Sequence, residues 1–194
     1  RSSRQFRTQR QRSSRPAAAE TAPSRMVRTS GSARNDHSQP VKIMDGVAQI
    51  SAGGAHSLVR NQDGSLWAFG FDGGGQLGDG GNTNRNAPFQ LREGGVAAVS
   101  AGELHSLLLA QDDTVWAFGY NDSGRLGTGD ALDQHAPRRV ASGVAQIAAG
   151  GSHTLLLGHD GSVRAAGSNG SGQIGLGPGV REARNFTTLV LPGK

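Results

Sequence analysis

VAQISAGGAHSLVRNQDGSLWAFGF, residues 47 to 71, decides how the chain is read, because it returns twice. Its histidine marks the phase: His56, His105 and His153 stand 49 and then 48 residues apart. Val47, Val96 and Val144 open the three units, and Ala52-Gly53, Ala101-Gly102 and Ala149-Gly150 precede the histidines. Farther on, GQLG (75–78), GRLG (124–127) and GQIG (172–175) recur in the same order. A period between about 20 and 50 residues is the mark of a solenoid, propeller or array, whose units cannot bury their apolar surface singly.

Within a unit, Val47 to Ile50, His56 to Arg60 and Ser65 to Phe69 read as short strands rich in aliphatic and aromatic residues. Asp63-Gly64 between the second and third supplies a glycine for the positive φ of a tight hairpin, which makes those strands antiparallel neighbours. A fourth strand is expected over Pro88 to Leu91 and Pro137 to Val140. Proline cannot donate to a ladder, so this strand belongs at the outer edge. Three or four short antiparallel strands per unit, apolar on both faces, describe a propeller blade held between two others.

The submotifs G-x-x-H-[ST]-L, D-G-x-[LV]-W-x-[FW]-G and G-x-[LI]-G, with a proline before the next unit, resemble the regulator of chromosome condensation repeat over residues 38–194. The resemblance implies an all-β chain of about three four-stranded blades, with units near 47–95, 96–143 and 144–194. Family members look like seven-bladed propellers, which three units cannot close. The expectation is therefore a partial propeller: a piece of a larger one, or an open arc whose blade edges pair with another copy. SQPVKIMDG (38–46) and FTTLVLPGK (186–194) read as the last strand and linker of a unit, at the same repeat phase.

Charge is distributed unevenly. The chain carries +5 in total, yet residues 1–40 hold nine arginines against Glu20 and Asp36, while residues 41–194 hold eleven basic and thirteen acidic residues. Residues 1–37 are Arg/Ser-rich with one aromatic, Phe6, and cannot bury enough surface to offset their conformational entropy, so a disordered tail is expected. Arg1, Arg4, Arg7, Arg10, Arg12 and Arg15 offer a salt-dependent, sequence-blind contact to nucleic acid, and an organelle-targeting role is a further reading. No run is long enough to cross a membrane. Cysteine is absent, which removes disulfides and thiolate chemistry.

The residues that could carry chemistry have structural readings. Three histidines could ligate zinc, but equivalent positions in a propeller lie one per blade, so each is expected to pack in its own blade and bond the backbone near its Gly pair. GGGQLG (73–78) matches the dinucleotide fingerprint, but lacks the strand-to-helix context that the fingerprint requires. Trp67 and Trp116 occupy one repeat position and are expected to pack between blades; unit three has Arg164 there and Ala166 in place of Phe69 and Phe118. No catalytic constellation, metal site or cofactor site is expected.

The resemblance implies a binding scaffold. Its family includes an exchange factor for the small GTPase Ran that docks on chromatin, an inhibitor of β-lactamase, ubiquitin-ligase subunits and a plant photoreceptor. The photoreceptor's G-W-R-H-T is replaced here by GGAHS, GELHS and GGSHT. The leading expectation is a noncatalytic protein-interaction module whose contacts come from loops that vary between units. Phe71, Asp72, Asn84 and Arg85 are its candidates in unit one, with Tyr120, Asn121, Asp130 and Asp133 in unit two and Arg181 in unit three. Phe71 and Tyr120 are the aromatic anchors, since aromatics concentrate binding energy. The alternatives are a nucleic-acid or chromatin-associated protein acting through the tail, or a guanine nucleotide exchange factor.

Overall fold

The computed structural model describes residues 40–190, and among these the regular structure is β throughout, in three four-stranded antiparallel sheets. Blade 1 comprises β1 (Val47–Ala52), β2 (His56–Asn61), β3 (Leu66–Gly70) and β4 (Arg85–Arg92). Blade 2 comprises β5 (Val96–Ala101), β6 (His105–Ala110), β7 (Val115–Gly119) and β8 (Gln134–Ala141). Blade 3 comprises β9 (Val144–Ala149), β10 (His153–Gly158), β11 (Val163–Ser168) and β12 (Glu182–Thr188). Each sheet runs in sequence order from first to fourth strand, and the repeats lie in a compact unit that begins at Ile43. The tail assigned to residues 1–37, with Arg1, Arg4, Arg7, Arg10, Arg12 and Arg15, lies outside the described residues. No helix among the described residues is long and apolar enough to cross a membrane.

Local chemistry accounts for the hairpins. Gly64 and Gly161 hold φ of 78° and 80° between the second and third strands, and Asp113 takes the same conformation in blade 2 at 61°. Asp63, Asp112 and Asp160 each accept the N–H two residues on, at 2.8, 3.2 and 2.9 Å, closing the turn with a side chain. The fourth strand is longer than the proline-centred reading: it starts at Arg85 and Gln134, three residues before Pro88 and Pro137, and its pairing with the third strand shifts register twice in each of blades 1 and 2. The prolines do sit on the edge strand. Of the stretch 38–46, read as a last strand and linker, residues 40–46 carry no strand, and residues 38–39 lie outside the described residues.

The cores lie between blades. Leu58, Leu66, Ala68 and Leu77 of blade 1 pack on Val96, Val99, Leu108, Ala110 and Phe118 of blade 2, with Trp116 at the margin. Leu107, Leu109, Val115, Ala117 and Leu126 of blade 2 meet Val144, Ile147 and Leu156 of blade 3 in the same way. Each fully buried leucine contributes about 1.5–3 kcal/mol, and it does so only when the next blade is in place. The phenylalanine missing at Ala166 is replaced from another strand. Phe118 covers Gly78 in the first junction, whereas in the second Phe186 of β12 covers Gly127.

Polar groups stitch the same junctions. The Gln49 side chain donates to Val99 O (3.0 Å) and accepts from Val99 N (3.1 Å), while Ser51 and Ser100 accept from Ala101 N and Ala149 N at 2.9 Å. The first strands of successive blades are thus direct neighbours, and the fourth strands lie on the far edge.

Candidate partner-binding loops

In every blade the loop from third to fourth strand emerges at the same end of the sheet as the loop from first to second. These long loops are built on one repeated device. Asp72, Asn121 and Asn169, two residues past Gly70, Gly119 and Gly167 of the third strands, are buried. Each accepts from the backbone N–H five residues on: Leu77 at 2.8 Å, Leu126 at 3.0 Å and Ile174 at 3.2 Å. That bond folds the G-x-[LI]-G segment into a turn and drives Leu77, Leu126 or Ile174 into the core.

The far end of each loop is tied to the same residue. Asp72 N donates to Asn84 Oδ1 (3.0 Å), Asn121 N to Asp133 Oδ1 (2.7 Å) and Asn169 N to the Arg181 carbonyl (2.6 Å). Where the staple is asparagine, its amide also donates into the loop: Asn121 Nδ2 reaches Thr128 Oγ1 and the carbonyls of Asp130 and Leu132 at 2.9–3.2 Å, and Asn169 Nδ2 reaches Val180 O at 2.8 Å. The Asp72 carboxylate has no N–H to offer, and its Oδ2 is buried without a hydrogen-bond partner among the described residues. Burial raises the Asp72 carboxyl above its ordinary value, and neighbouring Asp79 adds to the effect. Asp79 is held low by its bonds to Arg85, which donates through Nε at 3.0 Å and Nη2 at 2.5 Å.

The nine sequence candidates therefore divide by environment. Asp72 and Asn121 are interior staples, and Asn84 and Asp133 are their acceptors. Arg85 pairs with Asp79 and lies over the Phe89 ring at 4.9 Å, while Asp130 accepts from Thr128 Oγ1 (2.7 Å) and Arg138 (3.3 Å). Tyr120 is half-buried, with its ring against Gly74 of the preceding blade and under the Arg125 guanidinium at 5.5 Å. Phe71 is 40% exposed, beside Gly73. Arg181 is exposed, on a wide opening of about 910 Å³ with Pro178, Val180 and the glycines of the same loop.

Leu132 (68% exposed) and Val180 (40% exposed) stand on the equivalent loops of blades 2 and 3. The sequence points to these variable loops but not to these two residues. The signal available was an aliphatic residue within an otherwise polar, gapped loop. Together with Phe71 they place one exposed apolar side chain on each long loop, all at one end of the blades.

The histidines occupy the junctions and bond differently from the expectation. His56 Nε2 lies 2.9 Å from Ser106 Oγ, and His105 Nε2 lies 3.0 Å from Thr154 Oγ1, each hydroxyl belonging to the next blade. Those hydroxyls donate to Gln76 O and Arg125 O at 2.7 Å, so they accept from the imidazole N–H. The expected bond to backbone near the Gly pair is not made by the side chain; the ring packs against the glycine instead, and a Cβ at Gly53 or Gly102 would come within 2.4 Å and 2.3 Å of ring carbon Cε1. Burial lowers His56 to about 4 and His105 to about 3.

The sequence matches the regulator of chromosome condensation (RCC1) repeat over residues 63–109 and 112–157, and in a second form of that repeat over 47–76, 96–125 and 144–173. No curated protein matches the chain by sequence. Among solved structures, human WBSCR16 is similar at 24% identity and a TM-score of 0.67, covering 75% of this chain and 40% of that one. Yeast RCC1 (Prp20) bound to Kap60 gives 22% identity and 0.69, covering 76% and 37%. Prp20p from Saccharomyces cerevisiae, described with its binding properties to Gsp1p and histones, gives 22% and 0.69, covering 76% and 39%. These likenesses show a propeller fold, and the chain spans about two fifths of the length of the structures it matches.

Proposed function

This chain belongs to the regulator of chromosome condensation (RCC1) repeat family, and from that premise we propose that it is a noncatalytic scaffold that binds a protein partner through its long third-to-fourth-strand loops. The observation that carries the reading is the pairing of rigidity with variety. One buried Asp or Asn staples each loop at both ends, while the apolar and charged residues differ from blade to blade: exposed Phe71 with Arg85, which pairs with the part-buried Asp79, exposed Leu132 with the Asp130–Arg138 pair, and exposed Val180 with Arg181. Ordered loops on a scaffold bind with little entropic loss. An exposed apolar residue on a loop that also carries charge has the composition of an interface centre within a polar rim. Partners recorded with the similar yeast proteins, Kap60, Gsp1p and histones, are also proteins.

The test is an affinity pull-down from native extract with the full chain and a Phe71→Ser/Leu132→Ser/Val180→Ser variant, each with and without nuclease. The reading predicts a protein retained by the parent regardless of nuclease and lost from the variant. Retention that disappears with nuclease, and is unaffected by the loop changes, would transfer the function to the basic tail.

A further inference from the structure

Blade 1 departs from the other two blades at one buried spot, where the staple residue meets the loop that it ties. In blade 2 the Asn121 amide donates to Thr128 Oγ1 at 2.9 Å and to the carbonyls of Asp130 and Leu132 at 3.1 and 3.2 Å. In blade 3 the Asn169 amide donates to the carbonyls of Gly177 and Val180 at 3.4 and 2.8 Å. Each amide puts N–H hydrogens, the positive end of a dipole, among oxygen acceptors. Blade 1 has a carboxylate at both positions: Asp72 in place of Asn121 and Asp79 in place of Thr128. The carbonyls of Gly81 and Thr83 hold the repeat positions of those of Asp130 and Leu132.

The oxygens of this nest outnumber its donors. Asp72 is fully buried; its Oδ1 accepts from Leu77 N at 2.8 Å, while its Oδ2 is buried without a hydrogen-bond partner among the described residues. Burial raises the Asp72 carboxyl, and the adjoining Asp79 carboxylate, near enough to share a hydrogen, adds to the effect. The Asp79 side chain is 10% exposed. Its Oδ1 accepts from Gly81 N at 2.9 Å and its Oδ2 from Arg85. His135 Nδ1, from blade 2, donates to Gly81 O at 2.8 Å, so that hydrogen is spent on a carbonyl. Two carboxylates thus share one guanidinium, and the charge on Asp72 Oδ2 has no counter-ion among the described residues. A charge buried in this way is costly unless a cation or a proton meets it.

We propose that blade 1 binds a calcium ion between Asp72 and Asp79, with main-chain oxygens of the 79–84 loop completing its shell. The ion occupies the place that the Asn121 and Asn169 amides fill in the other blades, as a positive centre tying the loop to the end of the third strand. No three His, Cys, Asp or Glu side chains gather as a metal site among the described residues. Calcium does not need three, because carbonyl oxygens count toward its roughly six to eight ligands. Magnesium fits less well, since it holds to a tight octahedron and keeps several waters, which a buried nest excludes.

Calorimetric titration of calcium chloride into the full chain tests this, after stripping with chelator and exchange into metal-free buffer at neutral pH. The parent is expected to bind one calcium ion and to melt at a higher temperature when it is added. Asp72→Asn introduces the amide used at 121 and 169, and Asp79→Thr the hydroxyl used at 128. Metal-free melting shows that each variant is folded, and each should bind calcium more than about tenfold more weakly, because affinity follows the charge of the ligands. Asp160→Asn, on the hairpin at the opposite end of the blades, should bind as the parent does, and magnesium should displace calcium only in large excess. A parent that takes up no calcium at millimolar concentration overturns the proposal and leaves a shared proton between the two carboxylates. Binding undiminished in Asp72→Asn also overturns it, by placing the ion on surface carboxylates.

Discussion

His105 Nε2 stands 3.0 Å from Thr154 Oγ1, and that hydroxyl donates a hydrogen bond of 2.7 Å to the Arg125 carbonyl. One serine or threonine thereby links a histidine on the second strand of one blade to the G-x-[LI]-G turn of the same blade. Ser106 and Thr154, which follow the second and third repeat histidines, each receive the histidine of the blade before. Thr154→Val keeps the shape and removes the hydroxyl, leaving a buried imidazole N–H and a carbonyl unpaired. It should cost about 1–3 kcal/mol in urea unfolding, and Thr154→Ser should recover most of that. A Thr154→Val protein as stable as the parent would show the relay to be idle.

Acid should open the junctions. His56 and His105 are held neutral by burial, at about 4 and about 3 against 6.5 when unfolded. The unfolded chain binds their protons first as pH falls. Their stabilisation is therefore complete above pH 6.5 and drains away toward pH 4, by roughly 3 kcal/mol for His56. Melting temperature followed from neutral to acid pH should fall through this window, and less steeply in His56→Gln.

How much of this was legible in the sequence follows from which contacts stay inside a repeat. Strands, hairpins and strand order within a blade depend on pairings that stay inside one repeat, and Val47, Asp63-Gly64 and Gly70 mark them. The histidine's partner is 49 or 50 residues away, so the motif showed that the histidine mattered without showing what it bonded. The site was less readable. Asp72, Asn121, Asn84 and Asp133 resemble binding residues because they are polar and lie in variable loops, yet they are spent on backbone N–H groups. The exposure of Leu132 and Val180 depends on how the staple folds the loop. Phe186 rescuing Ala166 across two strands has no local sign at all.

Asp72→Asn should stabilise blade 1. Asparagine at 121 and 169 donates to loop carbonyls, whereas Asp72 Oδ2 is buried without a hydrogen-bond partner among the described residues. The carboxyl is raised in the folded state, so its ionisation erodes stability as pH climbs from the ordinary carboxylate value through the raised one. The gain, about 1 kcal/mol, should be present at neutral pH and vanish in acid, where Asp72 is itself protonated. A gain independent of pH would contradict the assignment.

Asp113→Gly should also stabilise, by about 0.5–1 kcal/mol. Asp113 is the non-glycine residue with positive φ among the described residues, at 61°, where Gly64 and Gly161 serve in the other blades. The lost contact is an exposed one to His159 at 3.1 Å, worth little in water. Denaturant midpoints of the two proteins decide the sign.

Photo-crosslinking tests the proposed function most directly. A photoreactive side chain is placed at Leu132, on the loop end of the blades, or at Gln62, on the hairpin at the opposite end. Each protein is then irradiated in nuclease-treated native extract. The account predicts a discrete protein adduct from position 132 and none from position 62. An adduct from 62 alone, or none from 132 while the chain still retains its partner, would contradict the placing of the binding surface on the long loops.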